Sequence, residues 1–197
     1  MAGRLEIATT HPSMGAAHIG DTIELRDRVR ATDPLYLSVL EFLWEEAAVL
    51  DSEDLTAWQQ MLDENIRYRM PVCLTRRRGS TASYETEAMH FDETYLSLRL
   101  RIRRILETLA WANDPASRTR RMVTTVRTWM TADPALFRAM SSLLLIRTQD
   151  DEYRTDLVSA ERTDLIRKLP DGSFRLLDRR IVADQTTIGT HNLAIFL

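Results

Sequence analysis

A single junction does most to limit what this chain can fold into. Trp111-Ala112-Asn113-Asp114-Pro115-Ala116-Ser117-Arg118-Thr119-Arg120-Arg121 separates a helical pattern, running roughly from Asp92 to Ala110, from the first of several long strand patterns. Proline disfavours helical geometry in the residue before it, so Asp114 must be extended or in a turn. Asp114 and Ser117 can hydrogen-bond the backbone groups that the broken helix frees, and Arg118, Arg120 and Arg121 then launch the strand. A turn this rich in charge, beside Trp111, needs partners within the fold or on another chain. Helices before the junction and strands after it argue for an α+β protein with its helices on one face of a sheet.

Residues 1–30 lack periodicity and hold Thr9-Thr10-His11-Pro12-Ser13 and Gly15. They read as an extended arm, either mobile or clasping a neighbouring subunit. Residues 31–197 read as one domain without a repeat or linker. Asp33-Pro34 opens a helix, the acid as N-cap and the proline in the first turn. Leu35, Val39, Phe42, Leu43, Ala47 and Leu50 keep helical spacing, and Tyr36, Leu40 and Trp44 widen the apolar face, so the helix should be almost fully covered. Ser52, Glu53 and Asp54 restart a short helix that buries Leu55, Trp58, Met61 and Leu62. Ile66 to Met70 alternates apolar with basic residues as a strand does, and Pro71 puts that strand near an edge or bend. Arg76-Arg77-Arg78-Gly79-Ser80 is a basic loop, and residues 80–89 read as irregular. The third helix, with Asp92 as its N-cap, buries Leu98, Ile102, Ile105 and Leu109 and leaves Arg99, Arg101, Arg103 and Arg104 mostly off that stripe.

After the junction come strands over 121–130, 136–147, 153–169 and 174–184. Leu143 to Ile146 forms a buried run in the second, and Pro170-Asp171-Gly172-Ser173 turns the last pair. Strands this long should curl around the helices.

Composition narrows the function. Of the 26 basic residues only Lys168 is a lysine, and the net charge is −3, with a pI near 5.8, which argues against nucleic acid as the main partner. Arginine favours forked pairing with carboxylates, so the bias suits interfaces. No apolar run approaches the roughly 20 residues of a membrane span, and no signal pattern opens the chain, which makes the cytoplasm the default. The lone Cys73 excludes an intrachain disulfide and any cluster needing several thiolates from this chain. His11, His18, His90 and His191 have no nearby carboxylate that completes a metal site. No phosphate loop or nucleophile elbow is present. The reading is therefore no catalytic, cofactor or metal residue on this chain.

The segments Phe42-Leu43-Trp44-Glu45-Glu46-Ala47 with Leu50-Asp51, Tyr68-Arg69-Met70-Pro71, Phe91-Asp92-Glu93-Thr94, Arg101-Ile102-Arg103-Arg104, the 111–121 junction, Ala160-Glu161-Arg162 and Asn192-Leu193 closely resemble the small (β) subunit of Rieske non-haem iron aromatic-ring-hydroxylating dioxygenases. The resemblance runs from about Tyr36 to Leu197. It implies a curved antiparallel or mixed sheet wrapped around helices as a cone, the shape of nuclear-transport-factor-like and scytalone-dehydratase-like domains. It also implies a structural subunit in an α3β3 hexamer. The large (α) subunits would carry a Rieske [2Fe-2S] cluster and mononuclear Fe(II), and electrons would come from NADH through a reductase and ferredoxin. The reaction would add O2 to an aromatic hydrocarbon to give a cis-dihydrodiol. Interface candidates are Trp111, Asp114, Ser117, Arg118, Arg120 and Arg121; pairing of the three arginines with Asp114, Glu161 and Asp164 inside the subunit is the other reading. The cone keeps a second function open, a stand-alone dehydratase, isomerase or cyclase with an acid–base pair drawn from Asp63, Tyr68, His90 and Asp92. Each also has a structural reading: Asp92 as a helix N-cap, His90 in a loop, and Tyr68 at a half-buried strand position with its hydroxyl at the rim.

Overall fold

The computed structural model describes residues 23–74, 85–112, 117–148, 155–188, 190 and 195–197. In chain order the elements are β1 (Leu25–Val29), α1 (Pro34–Asp51), α2 (Leu55–Gln60), β2 (Leu62–Cys73), β3 (Glu85–Thr94), α3 (Tyr95–Ala112), β4 (Arg118–Thr131), β5 (Leu136–Thr148), β6 (Thr155–Lys168) and β7 (Phe174–Ala183). The strands form one sheet in the order β1-β4-β5-β6-β7-β2-β3. Only β2 and β7 run parallel; the other neighbours are antiparallel. The sheet is therefore mixed and open, with β1 and β3 at its edges, and the α+β expectation holds.

The expected caps explain two helix starts. The Asp33 carboxylate accepts from the Leu35 N–H at 2.8 Å, with Pro34 just inside the helix. Asp54 does the same for Ala57 at 2.9 Å. The third helix differs from expectation. Asp92 lies in β3, and the cap is Thr94, whose backbone N–H is taken by Ser97 Oγ at 2.8 Å. Residues 85–89, read as irregular, also belong to β3. Its pairing with β2 shifts register on both sides of Pro71, so the proline sits at a bulge rather than at an edge.

Helix α1 lies under the sheet's concave side. Val39, Leu43, Glu46, Ala47 and Leu50 are buried there, but Leu37 and Trp44 are half exposed, so the helix is less covered than its sequence suggests. Tyr36 Oη donates to the Val126 carbonyl at 3.1 Å and Trp44 Nε1 to the Val123 carbonyl at 3.3 Å. The β4–β5 register breaks between Thr124 and Arg127, so one bond falls just before the break and the other within it. Thr125, within the break, has φ of 53°, a left-handed conformation that a β-branched residue rarely adopts. At its other side α1 packs Phe42 against Phe174 of β7. The helix thus touches β4 and β7, and the sheet bends around it.

Strand β5 alternates strictly: Leu143 and Leu145 are buried while Leu144 is exposed, so the Leu143–Ile146 run is split between two faces, as period-two geometry demands. Residues 25–29, counted with the arm in the sequence, pair with β4 as the edge strand β1.

Candidate functional site

Ion pairs between α1, β6 and β7 lie at the centre of the bent sheet's interior. Glu46, on the buried stripe of α1, is 1% exposed. Its two oxygens accept from Nη1 and Nη2 of Arg179, both at 2.7 Å, and Trp58 Nε1 adds a third bond at 3.0 Å. Arg179, on β7, also forks onto Asp164, its cross-strand partner on β6, with two bonds of 2.8 Å. Arg162, two residues from Asp164 on β6, is fully buried and lies 3.6 Å from Glu46. Such bidentate pairs are the strong form of charge-assisted hydrogen bond.

Electrostatics keep Glu46 and Arg179 ionised. Burial alone would raise the Glu46 carboxyl, but the charges of Arg179 and Arg162 and the bonds from Arg179 and Trp58 hold it below the ordinary carboxylate value. Burial opposes the Arg179 cation as well, and Asp164 with Glu46 outweighs it, leaving the guanidinium firmly charged. A carboxylate held this way is a poor proton donor or acceptor near neutrality.

A second layer closes the space. Phe196 stacks on Trp58 with ring centroids 4.3 Å apart and meets Tyr68 edge-on. Tyr68 is fully buried, not at the rim. Its hydroxyl donates to the Leu197 carbonyl at 2.9 Å and accepts from the Leu197 N–H at 2.7 Å. Burial pushes its phenol up, which preserves the proton that it donates to the Leu197 carbonyl. Arg121 reaches inward from β4: Nη1 contacts Asp51 at 2.6 Å, and Nε and Nη2 hold the Phe196 carbonyl. Its backbone N–H donates to Asp51 as well, at 2.9 Å, so the end of α1 is fastened to the start of β4.

The candidates from sequence separate accordingly. Arg121 is used inside the chain, and among the described residues its partner is Asp51 rather than Glu161 or Asp164. Glu161 faces Arg127, and Asp164 faces Arg179. Arg118 and Arg120 are exposed and Ser117 is half-buried. Trp111 closes α3, with its side chain outside the described residues, as is all of Asp114. The four acid–base candidates do not form a pair. Asp63 bonds Arg167 at 3.2 Å and caps its own turn at Asn65. Asp92 points away from buried Phe91 and pairs with Arg67, and half-buried His90 lies beside it on β3. The dehydratase-type reading finds no support in this arrangement. Arg101, read as off the stripe, is buried over the rings of Phe91 and Phe196. His11, His18, His191 and the 76–78 basic loop lie outside the described residues. Among the described residues no cluster of His, Cys, Asp and Glu could hold a metal, and no helix is long and apolar enough to cross a membrane.

The Glu46 network was not read from the sequence, although a signal existed. Val39, Leu43, Glu46 and Leu50 step by four, three and four, so the acid occupies a core position of α1. Val158, Ala160, Arg162, Asp164 and Ile166 alternate inward on β6 in the same way.

These features define a bent-sheet α+β domain whose interior is used for structure. Naphthalene 1,2-dioxygenase, in a structure with indole bound in its active site, contains a chain of this fold. It is 23% identical, and the match covers 85% of this chain and 89% of that one with a TM-score of 0.74. The β subunit of benzoate 1,2-dioxygenase from Burkholderia mallei matches with 15% identity, 85% and 100% coverage and a TM-score of 0.63. ActVI-ORFA from Streptomyces coelicolor shares the fold at 16% identity, 77% and 98% coverage and a TM-score of 0.55. The model of the ring hydroxylating β subunit family matches residues 45–190, and the chain belongs to that family. It is a structural β subunit of a ring-hydroxylating oxygenase complex, whose other component is a large subunit. Glu46, Asp51, Tyr68 and Arg162 all come from segments that carried the resemblance in the sequence.

Proposed function

We propose that this chain holds the large subunits of an α3β3 terminal oxygenase in register, as a trimer of αβ pairs. In this reading the large subunits carry a Rieske [2Fe-2S] cluster and a mononuclear Fe(II), and an NADH-dependent reductase with a ferredoxin supplies electrons. The assembly is cytoplasmic and oxidises an aromatic ring to a cis-dihydrodiol. The observation that carries the reading is the interior: among the described residues, Glu46, Arg162, Asp164 and Arg179 are tied to one another by ion pairs between α1, β6 and β7, so these charges hold the fold together. The chain's own donors do not fit the Rieske group, which needs two cysteines where this chain has one.

The exposed arginines Arg118 and Arg120, with half-buried Ser117, are the surface we assign to contact with a neighbouring subunit, and Trp111 and Asp114 are assigned to the same contact from their place in the sequence of the junction. Closed symmetric assembly repeats such a contact three times, so a modest surface is multiplied. Purification of the chain co-expressed with its large subunit tests the proposal. A stoichiometric complex bearing iron and acid-labile sulfide on the large chain is expected. A homo-oligomer that turns over a substrate alone refutes it.

A further inference from the structure

Residues 195–197 are held as a bound peptide is held. They lie outside the strands of the sheet, and side chains from three strands and a helix take their backbone groups. Arg101 of α3 donates to the Ile195 carbonyl at 3.2 Å. Arg121 of β4 donates to the Phe196 carbonyl at 2.7 Å from Nη2. Tyr68 of β2 and Arg179 of β7 donate to the Leu197 carbonyl, at 2.9 and 3.1 Å. The Phe196 ring lies against Trp58 with Arg101 over it, 4.8 Å from guanidinium carbon to centroid. All three residues are buried.

A further buried cation stands at the same centre. Arg162 is fully buried, yet its Nη1 and Nη2 have no hydrogen-bond partner among the described residues. It reaches the same centre through Glu46, which binds both Arg162 and Arg179. An aromatic slot beside convergent cationic donors is a recognisable small-molecule site, apolar walls with a few placed polar groups.

We propose that the interior of the sheet is a preformed binding site for an aromatic-bearing acyl group, such as a short peptide or an arylalkanoate, and that Ile195-Phe196-Leu197 occupies it as an internal ligand. The inference does not depend on the partner subunit or on the reaction of the assembly. The ring of Phe196 is separated from its carbonyl by two carbons, so 3-phenylpropanoate reproduces both the ring and the oxygen that Arg121 holds. Displacing the segment would expose the slot, the Arg121 fork and one bond each from Tyr68 and Arg179.

A variant lacking residues 195–197 tests this, purified in whatever assembly the unaltered chain forms. Acetyl-Ile-Phe-Leu and 3-phenylpropanoate should each raise its melting temperature saturably at millimolar concentration. Acetyl-Ile-Ala-Leu should bind at least ten-fold more weakly, and the unaltered chain should not respond. No saturable shift, an equal shift from the alanine peptide, or the same shift in the unaltered chain overturns the proposal. If the shortened variant does not fold, Phe196→Ala decides the matter, since it vacates only the ring slot and leaves the backbone bonds in place. Saturable stabilisation of that variant by toluene, absent in the unaltered chain, supports a preformed slot, and its absence refutes one.

Discussion

Replacing Glu46 by glutamine removes one charge and no volume, so its effect isolates the central ion pair. In the native arrangement Oε1 accepts from Trp58 Nε1 and Arg179 Nη1, while Oε2 accepts from Arg179 Nη2 and faces Arg162. A glutamine whose oxygen stays at the first position keeps two bonds. Its NH2 group then points at two guanidinium groups, donor against donor, and Arg162 loses its nearest counter-charge at a site of zero exposure. Breaking a buried pair from one side costs about 3–5 kcal/mol. For a chain of this length each kcal/mol moves the melting temperature by roughly 2–4 °C, so a fall of about 6–20 °C is expected. Thermal and urea unfolding at one fixed protein concentration measure it, because subunit association shifts apparent stability. The cycle with Arg162→Met sharpens the test. If the cost comes from an unpaired Arg162, Glu46→Gln should be milder in that background by about 0.5–3 kcal/mol. A Glu46→Gln chain within about 0.5 kcal/mol of the unaltered one, the range of an ordinary surface change, would refute the claim that this pair organises the interior.

Three further outcomes follow from the same structure. Because the Glu46 carboxyl is held below its ordinary value of 4.5, its contribution to stability is complete above about that pH and drains away as the pH falls through the lowered value; acid titration of unfolding should show this loss, and Glu46→Gln should flatten it. Thr125→Gly relieves a positive φ at an exposed bulge position, and after the entropic cost of glycine a gain of about 0.5–1 kcal/mol is expected by urea unfolding. Arg118→Ala should lower the yield of complex with the large subunit while circular dichroism of the isolated chain stays the same; an undiminished yield would remove Arg118 from the interface.

The sequence made the layers legible because periodicity and caps are local. Asp33-Pro34 starts α1 and Pro170–Ser173 turns β6 into β7 for reasons contained within a few residues. The third helix shows the limit. Asp92 and Thr94 are both good caps, and pairing of residues 91–94 with β2 decides for Thr94. The same limit explains the arginines. Whether Arg121 or Arg120 points inward depends on the register of β4 against β5, where Arg121 stands opposite the buried Leu145 and Arg120 opposite Ile146. A register is a long-range fact, and a slip of one residue would have exchanged the two.

That dependence bears on what the fold is for. An interior lined by Glu46, Arg162, Asp164 and Arg179 resembles, by residue type alone, an acid–base site. What separates scaffold from enzyme is whether a proton can move: a catalytic carboxylate must be able to gain or lose a proton near neutrality, and Glu46 is fixed as an anion by two guanidinium groups. The fixing residues come from α1, β6 and β7, and Tyr68 of β2 joins them through Leu197. The charges therefore act as ties between the helix and the strands that bend around it. A subunit whose task is to present a constant outer surface to its neighbours gains from such ties, because they resist the sliding of α1 along the sheet that an apolar interior alone would permit.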